Sequence, residues 1–201
     1  MSHTTQAATG AEAQATSFAV DSRKLGVWTF LGSEVVFFSA LIVTYIVMSG
    51  RSVSGPTPKE ALNIPLVAFN TFVLICSSGT MVTALAAIER GSESGVRRWL
   101  FATLALGLVF LGGQVVEFRT LYQMGVTLSS SLFGASFFTL TGFHGAHVTV
   151  GVIWILFVLV RAVAGGVTKE NHLAVELVGL YWHFVDIVWI IIFTVVYLIA
   201  T

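Results

Sequence analysis

A bundle of five transmembrane helices, all-α and integral to a membrane, is what this chain predicts, and three observations carry the prediction. Of its 201 residues, 56% are hydrophobic and only 10% are charged, against roughly 25% charged in soluble domains. The mean hydropathy is +0.89. The apolar residues gather into five segments, approximately 25–48, 66–88, 99–118, 132–160 and 174–200. Each is long enough for the roughly 20 residues that one bilayer crossing takes.

Taken in chain order, residues 1–22 are rich in Ala, Thr, Ser and Gln. They lack the basic region followed by an apolar region that a signal peptide needs, and no arginine precedes Arg23. They read as a flexible polar tail that stays on the chain, ahead of a membrane domain over 23–201. The first span starts behind Arg23 and Lys24 and carries Glu34, nine residues in, at a depth of roughly 14 Å. Pro56, Pro58 and Pro65 fall in or at the edge of the first loop, where they break no span. The second span holds the single cysteine, Cys76. One cysteine excludes an intrachain disulfide, an iron–sulfur cluster and a thiolate copper site. The third span places Glu117 toward its outer end. The fourth centres on His144 and His147, and its glycines at 134, 142, 145 and 151 leave parts of its surface bare for close helix approach. The fifth centres on His183 and Asp186.

Charge sets the orientation. Arg23, Lys24, Arg90, Arg97, Arg98, Arg161 and Lys169 flank one side of the spans, while Arg51, Lys59 and Arg119 flank the other. Seven against three puts the N-terminus in the cytoplasm and the C-terminus outside, with a bacterial inner membrane as the setting. These ten are all the Lys and Arg in the chain, so none lies in mid-span. That excludes a voltage sensor and a Schiff-base lysine. A net charge of zero argues against nucleic-acid binding.

Ionisable groups at mid-membrane depth are costly and mark candidate sites. His172, Glu176, Gly179, His183 and Asp186 step by 4, 3, 4 and 3, forming one stripe on the fifth helix. Leu140, His144, His147, Gly151 and Trp154 form a similar stripe on the fourth. Two histidines on adjacent helices can clamp a haem iron, and a mid-membrane glutamate beside His and Asp can relay protons. Against haem, His183 and Asp186 share a face, which favours a histidine already engaged by an acid. Against a relay, one buried glutamate with no second acid on its helix makes a thin path. The spacing favours an interhelical polar layer of His144, His147, His183 and Asp186 that fixes helix packing, with the partner of Glu34 left open. Arg161, at the end of the fourth span, reads equally as a lipid-phosphate ligand or as a positive-inside anchor. No motif supplies an activated nucleophile, a metal site or a phosphate loop.

The stretches FGASFFTLTGFHGAHVTVG (133–151) and YWHFVDIVWIIIF (181–193) resemble the two signature stretches of subunit III of haem-copper respiratory oxidases. LGSEVVFFSA (31–40), NTFVLICSSGT (70–80), GGQVVEF (112–118) and ENHLAVELVGLYWHF (170–184) follow the same family pattern in order. The resemblance covers about residues 24–200. It implies an accessory subunit of an oxidoreductase complex in aerobic electron transport, with no catalytic centre, haem or copper of its own; haem and copper then belong to partner subunits. It implies packing against catalytic subunit I, on the side away from subunit II, support of proton uptake, and phospholipid binding. Arg161 matches the family's arginine on a lipid phosphate, and Glu34 its buried glutamate near subunit I. His144, His147, His183 and Asp186 match signature positions whose role is structural. Long members have seven spans, and this chain begins at their third, so the walls of their lipid cleft are incomplete here. The short form is shared with quinol oxidases, which FTVVYL (193–198) resembles. SEVVFF and GFHG look more like the cytochrome c oxidase branch, which is the expectation. Alternatives are a quinol oxidase subunit III, the accessory subunit of a nitric oxide reductase and, remotely, a stand-alone bis-histidine membrane cytochrome.

Overall fold

The computed structural model describes residues 22–49, 51 and 62–199. Five long helices occupy them: α1 (Ser22–Ser49), α2 (Ile64–Glu89), α3 (Glu93–Gln123), α4 (Leu132–Val163) and α5 (Leu173–Phe193). All five are long and apolar enough to cross a membrane, the last counted through Ile199. Of the expected N-terminal tail only Ser22 is described, and it opens α1; Pro56 and Pro58 also lie outside the described residues.

Local chemistry sets the helix ends. The side chains of Asn63, Ser92 and Ser131 accept hydrogen bonds from Leu66 N, Gly95 N and Gly134 N, which caps the starts of α2, α3 and α4. Pro65 sits in the first turn of α2, where its missing N–H costs nothing. Helix α2 stops at Gly91, whose φ of 73° is open to glycine at little cost. Gly165 ends α4 in the same way, with φ 76°. Helix α3 begins six residues before the expected span, because Glu93, Arg97 and Arg98 form a polar turn continuous with the apolar segment. The last span holds the larger departure. After Phe193 the chain widens into a π-helical turn, Thr194–Ile199, and the neighbouring residues Val196 and Tyr197 are both buried. An α-helical register spreads consecutive residues about 100° apart, so apolar periodicity gave no sign of this turn.

Helix α1 packs on α4 and α5, α2 packs on α3 and α5, and α3 packs on α4. Helix α5 therefore joins the two ends of the chain. Its indoles form the centre of the bundle: Trp182 and Trp189 are almost fully buried. Trp182 is gripped between glycines. A Cβ on Gly107 of α3 or on Gly151 of α4 would stand 2.8 Å from its ring, too close for any side chain. Trp182 Nε1 donates to Ser77 Oγ (3.0 Å) and Trp189 Nε1 to Thr71 Oγ1 (2.9 Å), so neither indole is left unsatisfied in a dry medium. Three of the four glycines of α4 lie against neighbours: Gly151 on Trp182, Gly145 on Gln114 and Gly134 on Thr127 O. Gly142 instead faces open space. Helix α1 is the most loosely held, burying Leu31, Phe38 and Tyr45 at seven-residue steps and little else.

Candidate functional site

Two acid–histidine clusters lie at the middle of the bundle. In the first, His147 of α4 meets Glu34 of α1, with Nε2 3.1 Å from Oε2. His147 Nδ1 lies 2.7 Å from the carbonyl of Phe143. A carbonyl only accepts, so Nδ1 carries a proton, and the Nε2–Oε2 contact holds one more, on the imidazole or on the carboxyl. The rings of Phe38 and Phe37 enclose the pair, with centroids 5.0 and 6.4 Å from the imidazole. Tyr181 of α5 donates to the His147 carbonyl at 3.0 Å. This answers the question the sequence left open: the partner of Glu34 is His147.

In the second cluster His183 of α5 shares a hydrogen bond with Ser78 of α2, Nδ1 to Oγ, at 2.7 Å. Asp186, one turn further along α5 and 4% exposed, lies against the same Ser78 with both carboxylate oxygens buried. Two expectations are corrected here. His183 does not bond the α4 histidines, and it is not held by Asp186. Both side chains turn to α2, where Ser78 stands within reach of each.

His144 is corrected as well. It is fully buried, yet neither ring nitrogen has a hydrogen bond, so it is no member of a hydrogen-bonded layer. Its imidazole stacks on Trp189 with centroids 4.8 Å apart and an interplanar angle of 27°, and meets Phe110 and Phe38 edge-on. The ring is boxed by aromatics, and its contacts are those of a flat core side chain.

The remaining polar groups extend these clusters. Toward its N-terminal end, the α5 stripe carries Glu176, which pairs with Lys24 of α1 and with His172 (2.8 Å). Near the other end of α5, Tyr197 donates to Glu117 Oε1 of α3 at 2.8 Å, with both side chains buried. Asn70 Nδ2 donates to Phe110 O at 2.9 Å, and Gln114 Nε2 to Thr141 O at 3.2 Å. Sequence reasoning missed Tyr197, Asn70 and Gln114. Their one signal was polarity inside apolar runs. Arg161 stands exposed in the last turn of α4, where its charge suits the negative end of the helix dipole. Among the described residues, no group of three or more His, Cys, Asp and Glu is placed to hold a metal ion.

A family model described as "Cytochrome c oxidase subunit III" matches residues 5–201. The chain belongs to the cytochrome c oxidase subunit III family. Within it, the chain is 43% identical over 174 residues to quinol oxidase subunit 3 of Bacillus subtilis (strain 168), covering 87% of this chain and 85% of the relative. It is 40% identical over 177 residues to cytochrome c oxidase subunit 3 of Alkalihalophilus pseudofirmus, with the same coverage. With cytochrome bo(3) ubiquinol oxidase subunit 3 of Pseudomonas aeruginosa it shares 38% identity over 173 residues, 86% of this chain and 83% of the relative. Membership defines a multi-pass membrane protein of the subunit III type common to both oxidase classes.

Proposed function

We propose that this chain is the non-redox accessory subunit III of a bacterial haem-copper terminal oxidase, of the cytochrome c oxidase branch, seated against catalytic subunit I. The observation that carries the reading is the match to subunits 3 of oxidases over more than four-fifths of both chain lengths. The geometry supports it from the other side. His147 uses both ring nitrogens on protein partners, His183 bonds a serine, and His144 is boxed by rings. His147 is thus engaged through both nitrogens, His183 through one, and His144 is walled in by rings, an arrangement that suits a subunit which leaves haem and copper to its partners. The cytochrome c branch is favoured by SEVVFF around Glu34 and by GFHG around His144. A quinol oxidase is the second reading, supported by the relatives that carry that name.

In this role Glu34, paired with His147, is the buried acid near subunit I. Arg161 holds a phospholipid phosphate, a use its exposure at the end of α4 allows. His183 and Ser78 tie α5 to α2. The N-terminus lies in the cytoplasm and the C-terminus outside, following the seven-to-three distribution of basic residues.

The test is to tag the chain, extract it in mild detergent, and record size and a reduced-minus-oxidised spectrum before and after stripping its partners. Haem bands are expected in a large complex and absent from the isolated 21.6 kDa chain. The type of haem and the competent electron donor then separate the two oxidase branches. Haem retained by the lone chain would overturn the proposal.

A further inference from the structure

Helices α1, α2 and α5 enclose a groove of about 270 Å3, lined by Lys24, Trp28, Met81, Glu176, Leu180 and His183 among others. That is far more than the roughly 10–15 Å3 one water needs. One end of the groove is charged. Lys24 of α1 and Glu176 of α5 pair there, and His172, bonded to Glu176, stands beside them at the start of α5. His183 lies seven residues beyond Glu176, roughly 10 Å deeper along the helix. No other charge stands at that depth in the groove: α2 brings Met81 and Leu85, and His147 of α4 is committed to Glu34 of α1.

From His183 a line of contacts leads inward. Its Nδ1 lies 2.7 Å from Ser78 Oγ, and the same serine stands against Asp186, whose carboxylate oxygens are both sealed inside the chain. His183 Nε2 makes no hydrogen bond among the described residues and is not sealed. A hydroxyl donates one proton and accepts others, so one direction satisfies all three groups: Nδ1–H donates to Ser78 Oγ, and the Ser78 hydroxyl donates to Asp186. Other hydroxyls of α2 do not extend the line. Ser77 accepts from Trp182 and donates to Leu74 O, while Thr71 accepts from Trp189 and donates to Val67 O.

We infer that this groove is a water-filled inlet and Asp186 a proton store at its end, loaded and emptied through His183 and Ser78 from the side of the membrane that carries Lys24. In loading, a hydronium in the groove gives a proton to His183 Nε2 and leaves as water. Nδ1 passes its own proton to Ser78 Oγ, whose hydroxyl proton moves to the Asp186 carboxylate. One proton has moved inward, and the imidazole is left neutral with its proton on Nε2; the reverse steps empty the site. Because the line stops at Asp186, the arrangement holds a proton at mid-membrane depth and carries none across. The held proton removes the cost of a buried carboxylate in a dry medium. The inference goes beyond the subunit III reading and does not rest on it.

Two measurements test it on the full chain in membrane vesicles. For the inlet, Leu180→Cys in this groove is compared with Ile187→Cys in an apolar groove that His183 also lines, with Cys76 replaced by alanine in both. A charged, membrane-impermeant thiol reagent is expected to modify position 180 at least tenfold faster than position 187, and only from the Lys24 side. Equal rates, or reaction from the opposite side, would overturn the inlet. For the store, infrared difference spectra between about pH 5 and about pH 9 should contain a carboxylic-acid C=O band that Asp186→Asn removes. In heavy water that band is expected to shift, and Ser78→Ala to slow the shift at least tenfold. A missing band, a band that never exchanges in the wild type, or exchange in Ser78→Ala at the wild-type rate would overturn the store. The thiol measurement needs neither variant, so it stays decisive where Ser78→Ala assembles poorly.

Discussion

Two pairs of an acid and a histidine lie at similar depth in this bundle, and their fates differ. Glu34 and His147 come from different helices, 113 residues apart in sequence, and close on one another at 3.1 Å. His183 and Asp186 are three residues apart on one helix and do not bond. Sharing a helix face does not forbid a bond, since His172 and Glu176 make one on α5; His183 and Asp186 instead both turn to α2. His183 finds Ser78 on α2, and Asp186 lies buried beside the same serine. The first pair is a direct interhelical contact, while the second meets α2 through one serine.

The largest expected effect comes from breaking the direct pair. His147→Leu strands Glu34 between α1 and α4, and α1 has few other anchors. Stability of the subunit in the complex should drop by about 1.5 kcal/mol, near the upper end for interhelical polar contacts in bilayers. The fraction unfolded in a detergent titration reads this directly, and an unchanged midpoint would show that the pair does not hold α1. Next in size, His183→Leu removes the bond to Ser78 and should cost about 0.6 kcal/mol, a typical value for such contacts. The haem spectrum of the complex that survives should be unaltered; spectral loss at normal subunit content would contradict the accessory role.

The comparison itself is sharpened by two double-mutant cycles. Coupling between Glu34 and His147 should reach about 1 kcal/mol, whereas coupling between His183 and Asp186, carried only through Ser78, should reach about half of that. Equal couplings would erase the distinction. Smallest of all is Glu34→Gln. The amide keeps a hydrogen-bonding partner for His147 Nε2, so assembly should remain intact, with at most a modest loss in turnover or proton pumping. Complete loss of oxygen reduction in a fully assembled oxidase would give Glu34 a part in the chemistry.

Much of this was legible in the sequence, for reasons that also explain what was not. The five helices were legible because hydropathy over twenty residues is a property of each segment alone. The depth of His144, His147, His183 and Asp186 was legible because a helix rises by a fixed amount per residue. Partners were not. Whether His147 meets Glu34 or His183 depends on how two helices rotate about their own axes. That rotation is set by contacts elsewhere, such as Trp182 wedged between Gly107 and Gly151. His144 shows the same limit in another form. Its neighbours proved to be Trp189, Phe110 and Phe38, aromatic residues from three other helices. The π-helical turn was invisible because it abandons the regular spacing by which apolar faces are read, and Tyr197 went unnoticed with it.

The position of α5 in the chain order has a consequence for biosynthesis. Helices α1 and α2 each pack on α5, and the Glu117–Tyr197 bond is made by one of the last described residues. When the ribosome has delivered the first four helices to the membrane, the two indoles that fill the centre have still to be translated. Until then the nascent chain holds Glu34 with His147 at one seam and α2 beside α3 at the other, joined through α3 on α4 with the indoles' place unfilled. The final step of packing is thus tied to the translation of α5. A stop codon ahead of α5 would leave not a shortened bundle but one without its middle.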